Sequence, residues 1–284
     1  MKRILRKTLL AGALVALAGC ASEPYDPTPG SGGDGGGGNE NITWNLVWQE
    51  EFSGSAGSAI DDTRWAFDVG GGGWGNGQLE YDTDRTENVR LDGQGHLEIV
   101  AREESYGGRD YTSGRIKTQG KFTTRYGKIE ARIQLPIGQG LWPAFWMLGA
   151  DFPSVGWPQC GEIDIMEYRG QAPTQVNGAM HGPGYSGATP FHGSYYISGS
   201  TFHDGFHTFT VEWTSNRITW LVDGNSFMSY DTGDMESGME WVFDHDFFIL
   251  LNVAVGGTYV GSPNASTQFP QTMVVDYVRV YEAE

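Results

Sequence analysis

The sequence predicts an all-β domain, a sandwich or barrel of many short strands. Three observations point there. Helical periodicity is nearly absent, with no twelve-residue stretch beyond the first nineteen residues showing apolar side chains at i, i+3, i+4 and i+7. Period-two alternation, the mark of a half-buried strand, recurs along the chain. Glycine supplies 43 of 284 residues and there are ten tryptophans, a composition of tight turns and large aromatic surfaces.

The first segment stands outside this pattern. Lys2, Arg3, Arg6 and Lys7 precede a short apolar stretch, residues 9–18, as in a secretory signal and too short for a membrane span. Residues 1–19 are therefore assigned as a leader. The leader ends Leu17-Ala18-Gly19-Cys20, which resembles the lipobox of bacterial lipoproteins and implies lipid attachment at Cys20. Ala21 rather than Asp follows, which implies the outer membrane. Residues 20–41 read as a tether, since Gly-Ser-Gly-Gly-Asp-Gly-Gly-Gly-Gly over 30–38 offers nothing to bury. A coil of some twenty residues spans about 25 Å, from ~5–6 Å times √n.

Residues 42–284 form the remaining domain, an ordinary size for a single all-β unit. In Lys128-Ile-Glu-Ala-Arg-Ile-Gln-Leu135 the apolar residues alternate with polar ones. Phe209, Val211 and Trp213 face one way, Thr214-Ser-Asn216 turns the chain, and Ile218, Trp220 and Val222 follow. Asp223-Gly224 marks a second hairpin. Phe247–Val255 is a continuous apolar run, expected to be buried on both faces. Residues 274–281 read as a terminal strand with Val274, Val278 and Val280 on one side. No parallel pairing is expected.

One segment does not fit a structural role. In Cys160-Gly-Glu-Ile-Asp-Ile-Met-Glu-Tyr-Arg-Gly170 three carboxylates, Glu162, Asp164 and Glu167, interrupt a buried-strand sequence, and burying them is expensive without a task. Glu162 and Asp164 share a face, whereas Glu167 falls on the opposite one. A β-bulge near Ile165-Met166 would bring Glu167 back. Three acids on one face suit a glycosidase, which needs a carboxylate and a carboxylic acid flanking a sugar linkage. Just upstream, Trp142 and Trp146 are four apart and share a strand face, either as core residues or as stacking surfaces for pyranose rings.

Charge and cysteines narrow the partners. The formal charge is −17, and removing the four leader cations takes it to −21. Such a surface argues against nucleic acid, anionic headgroups or sulfated polysaccharide and is compatible with a neutral polymer. Only Cys20 and Cys160 occur, so no internal disulfide is expected, and Cys160 reads as a small buried hydrophobe. The histidines at 96, 192, 203, 207 and 245 show no zinc spacing.

Trp-Pro-Ala-Phe-Trp-Met over 142–147, Gly-Glu-Ile-Asp-Ile-Met-Glu over 161–167 and Val-Val-Asp-Tyr-Val-Arg-Val-Tyr over 274–281 resemble glycoside hydrolase family 16, and among its members bacterial laminarinases. Trp74-Gly-Asn-Gly-Gln-Leu-Glu-Tyr81, Ser113-Gly-Arg-Ile116 and Asn252-Val-Ala-Val-Gly-Gly257 are also similar, so the resemblance spans residues 44–282. It implies a β-jelly-roll sandwich of two curved antiparallel sheets with a concave cleft, and retaining endo-hydrolysis of a β-1,3-glucan. It implies Glu162 as nucleophile, Glu167 as acid/base and Asp164 as the carboxylate tuning the nucleophile. It also implies sugar contacts by Asn76, Arg115, Trp142, Trp146 and His181. Catalysis needs no cofactor, but many members hold a structural Ca²⁺, here matching Glu51, Gly95 and Asp276, and mixed carbonyl and carboxylate oxygens suit that ion. A monomer is expected. Rival readings are a non-catalytic glucan-binding protein, a galactan-active enzyme and a transglycosylase.

Overall fold

Alternation sorts the side chains of each strand onto two faces, and the apolar faces meet. In Gly127–Gln134, Ile129, Ala131 and Ile133 are buried while Lys128, Glu130 and Arg132 are partly solvated. The computed structural model describes residues 42–284; the leader, Cys20 and the tether lie outside the described residues.

Two sheets form. The larger has ten strands, ordered Asn225–Asp231, Arg217–Val222, His207–Trp213, Gly127–Gln134, Gln271–Ala283, Leu97–Tyr106, Arg109–Ser113 and Glu80–Asp82, with Trp44–Glu50 paired to Gln271–Ala283 and Val89–Leu91 to Leu97–Tyr106. The smaller has seven, ordered Phe191–Tyr196, Gln175–His181, Glu162–Tyr168, Leu141–Gly149, Phe247–Val255, Arg115–Lys117 and Ala66–Phe67, antiparallel throughout. Ile129, Ala131, Val211, Trp213 and Trp220 of the first sheet and Phe145, Met147, Ile163, Ile249 and Leu251 of the second share one apolar core. The expected all-β sandwich is what forms; the helices among the described residues are one α-helical turn, Phe152–Val155, and one 3-10 turn, Thr232–Asp234.

The hairpins lie where the turn residues place them. Asp223 and Gly224 both have positive φ, 48° and 76°, joining Arg217–Val222 to Asn225–Asp231. Phe247–Val255 is buried at every position, because Leu148 and Cys160, with Trp146 and Ala150, pack on Phe248 and Leu250 of its outer face while the core covers the inner one. The Cys160 thiol is free, and burial pushes it up to about 12.

Two expectations need correction. Glu80–Asp82 pairs in parallel with Arg109–Ser113, and three residues are too few to carry a pattern that could announce it. The final strand slips register between Val275 and Tyr277, leaving Asp276 as an extra residue. Upstream of that slip Met273 and Val275 face the core and Val274 does not; downstream Val278 and Val280 do.

Candidate active site

The acid strand Glu162–Tyr168 carries the distortion its sequence requires. On one neighbour, Glu162, Asp164 and Glu167 pair with Leu148, Trp146 and Ala144; on the other, with His181, Ala179 and Asn177. Both sets of partners step by two residues while the acids step by two and then three. Ile165 is the surplus residue, and Ile165 and Met166 both turn into the core. All three carboxyls therefore stand on the outer face of the seven-stranded sheet, at its centre.

The surroundings penalise charge there. Burial pushes Glu162, Asp164 and Glu167 each up to about 8. For Glu162 and Glu167 the Asp164 charge is the next contributor in the same direction. Three such groups titrate as a coupled set and hold protons well above the usual carboxylate range. His181 opposes this: its Nε2 lies 3.1 Å from Asp164 Oδ2 and 3.8 Å from Glu162 Oε1. Trp142 Nε1 donates to Glu167 Oε1 at 3.0 Å.

The predicted tryptophans line the same face. Trp146 is register partner to Asp164 and Leu250, and its Nε1 donates to Asn252 Oδ1 at 2.8 Å. Arg115, one strand further, is held between two indoles, 4.7 Å from the Trp74 centroid and 4.8 Å from that of Trp146. Asp68 accepts from Arg115 Nε at 3.0 Å and lies 2.5 Å from Lys117 Nζ. Trp74 in turn donates to the buried Asp82 at 2.8 Å. Asn76 is exposed on the turn beside it, and its carbonyl accepts from Thr258 N at 2.9 Å. The structure thus brings Arg115, Trp142, Trp146 and His181 to the acids, with Asn76 on the turn next to Trp74.

Sequence reasoning missed several neighbours. Asn177 donates to the Tyr259 hydroxyl at 2.7 Å, and Tyr259 packs 5.0 Å from Trp142. Asn177 lies four residues before His181 on the same strand, and Tyr259 sits in a loop with no local signal. Trp157 lies 5.9 Å from His181 and is exposed, which only the fold reveals.

The corner predicted for calcium is far less inviting. Asp276 Oδ2 lies 2.5 Å from Arg132 Nη1, and its other oxygen is 4.0 Å from His96 Nε2. The Glu51 carboxylate accepts from Arg279 through both oxygens, at 2.8 and 2.9 Å. Gly95 approaches the Glu51 carbonyl, but the one carboxylate meant for the ion already has a guanidinium. An ion at this corner would have to share the Asp276 carboxylate with Arg132.

Residues 74–279 match Glycosyl hydrolases family 16. The chain belongs to that family. This family 16 domain is 39% identical over 292 residues to a β-glucanase of Rhodothermus marinus, covering 99% of this chain and 96% of that one. Among solved structures, the laminarinase catalytic domain of Thermotoga maritima is 48% identical with a TM-score of 0.80, covering 84% of this chain and 98% of that one. The endo-β-1,3-glucanase of Pyrococcus furiosus is 45% identical with a TM-score of 0.82, covering 86% and 97%. The two-sheet architecture of the family 16 domain is the jelly-roll of these relatives.

Proposed function

We propose that the protein is a retaining endo-1,3-β-glucanase in which Glu162 attacks and Glu167 moves the proton. The observation that carries this is the bulge at Ile165, which turns both glutamates to one face with Asp164 between them. Glu162 bonds to the anomeric carbon as the glycosidic C–O bond breaks, and the Glu167 proton goes to the departing oxygen. Water then attacks the same carbon, gives its proton to Glu167 and releases Glu162. Asp164 raises the pKa of both neighbours; of the protons the coupled set holds, the first step uses one on Glu167, with Glu162 ionised to attack. Trp142 orients Glu167, while Trp146, Arg115, Asn76 and His181 are assigned to the sugars on either side.

The polyanionic surface supports a neutral glucan, and no helix of the described residues is long and apolar enough to cross a membrane. The expected result is steady release of reducing ends from laminarin, unaffected by EDTA because both steps run through Glu162 and Glu167 and Asp276 is already paired with Arg132. Absence of release, or release abolished by EDTA, would count against the respective assignment.

The lipobox supports tethering at Cys20 to the outer membrane, with the domain acting as a monomer. Cys20→Ser is expected to move the activity from the membrane fraction to the soluble one; a variant that stays membrane-bound contradicts lipidation there.

A further inference from the structure

The bulge leaves a backbone group to be satisfied, and the opposite sheet satisfies it. Trp220 Nε1 donates to the Asp164 carbonyl at 2.8 Å, across the core from Arg217–Val222 to the acid strand. Both residues are buried, Trp220 completely. In a regular strand that carbonyl would lie in the sheet and bond to a neighbouring strand. Here it is reached from the core side, at the residue immediately before the extra Ile165.

The approach is built into three further strands. Trp220 is paired across its own sheet with Met228. Opposite them, Gly178 and Gly193 are paired in the seven-stranded sheet. A Cβ on Gly178 would stand 2.6 Å from Trp220 Cδ1 and 3.0 Å from its Nε1, and one on Gly193 would stand 2.8 Å from Met228 Sδ. Neither glycine has a positive φ, so close approach, rather than backbone freedom, calls for glycine at both. The paired glycines form a slot that admits the indole to the bulge.

We propose that Trp220 is a positioning residue for the reaction: its N–H pins the Asp164 carbonyl, fixes the bulge, and so fixes where Glu167 stands relative to Glu162. This rests on the glutamate roles assigned above. Trp220 touches no substrate, and its effect passes through the backbone. An error of about 1 Å in the placement of reacting groups can cost on the order of 100-fold in rate.

Trp220→Phe keeps an aromatic ring in the core and deletes the donor. On laminarin it is expected to lower kcat by about 10- to 100-fold with KM nearly unchanged, and to displace the alkaline limb of the pH profile. That limb is assigned to the proton that Glu167 holds within the coupled set, where it faces Trp142, Glu162, Asp164, His181, Arg169 and Tyr259. Gly178→Ala, which leaves the N–H but pushes on the ring, should show the same signature. Rates are referred to the folded fraction, titrated with a mechanism-based covalent inhibitor. If the glutamate roles were wrong, Glu162→Gln would keep its activity, a separate result. If the roles hold and either variant loses melting temperature alone, with wild-type kcat and pH profile per folded molecule, Trp220 is only a core residue and the proposal fails.

Discussion

Glu162→Gln is expected to lower kcat on laminarin by at least about 10⁴-fold, the scale seen when a covalent nucleophile is removed. Gln fills the same space and keeps a polar head, so binding of the glucan should remain measurable by calorimetry. Loss of binding together with turnover would point to a collapsed site instead. The same change has a thermodynamic consequence. Burial raises the folded pKa of Glu162 to about 8, above its unfolded value near 4.5. Its favourable contribution is thus complete below about pH 4.5 and is lost as pH rises toward 8. Gln does not titrate, so melting of the variant relative to the parent should improve from pH 5 to pH 8. A variant that becomes relatively less stable over that range would contradict the buried setting of Glu162.

Glu167→Gln should lose about 10²- to 10⁴-fold on laminarin, the usual worth of general acid–base catalysis. The loss is expected to depend on the leaving group. An aryl glucoside with a nitrophenol leaving group needs no proton in the first step, so its bond to the sugar should still break rapidly. Water attack then lacks its base, and a burst of phenol stoichiometric with enzyme should precede slow turnover. The alkaline limb of the parent's pH profile, where Glu167 loses its raised proton, should disappear in the variant. A variant with no burst and an intact limb would assign the proton transfer to another group.

Much of this was legible because strand physics is local. Alternation in residues 128–135 and 209–222 identified strands and hairpins without any contact information. The spacing of Glu162, Asp164 and Glu167 required an extra residue if all three acids were to act together, and Ile165 is that residue. What stayed hidden depends on residues far apart in sequence. The slip at Asp276 arises in a strand paired with three others, where a valine-rich run fits either register. Arg115 between Trp74 and Trp146 joins three separate segments. The Trp220 bond to Asp164 crosses 56 positions and two sheets. In sequence Trp220 is one more apolar residue in an alternating strand, and only its donor atom distinguishes it from the core around it.

The double displacement depends on Glu162 and Glu167 acting from one groove, and the configuration of the first product reports on that directly. Proton NMR during the first minutes of laminarin cleavage, before mutarotation, is expected to show the new reducing ends as the β-anomer. New ends appearing first as the α-anomer would mean a single displacement by water, and the assignment of Glu162 as nucleophile would be wrong.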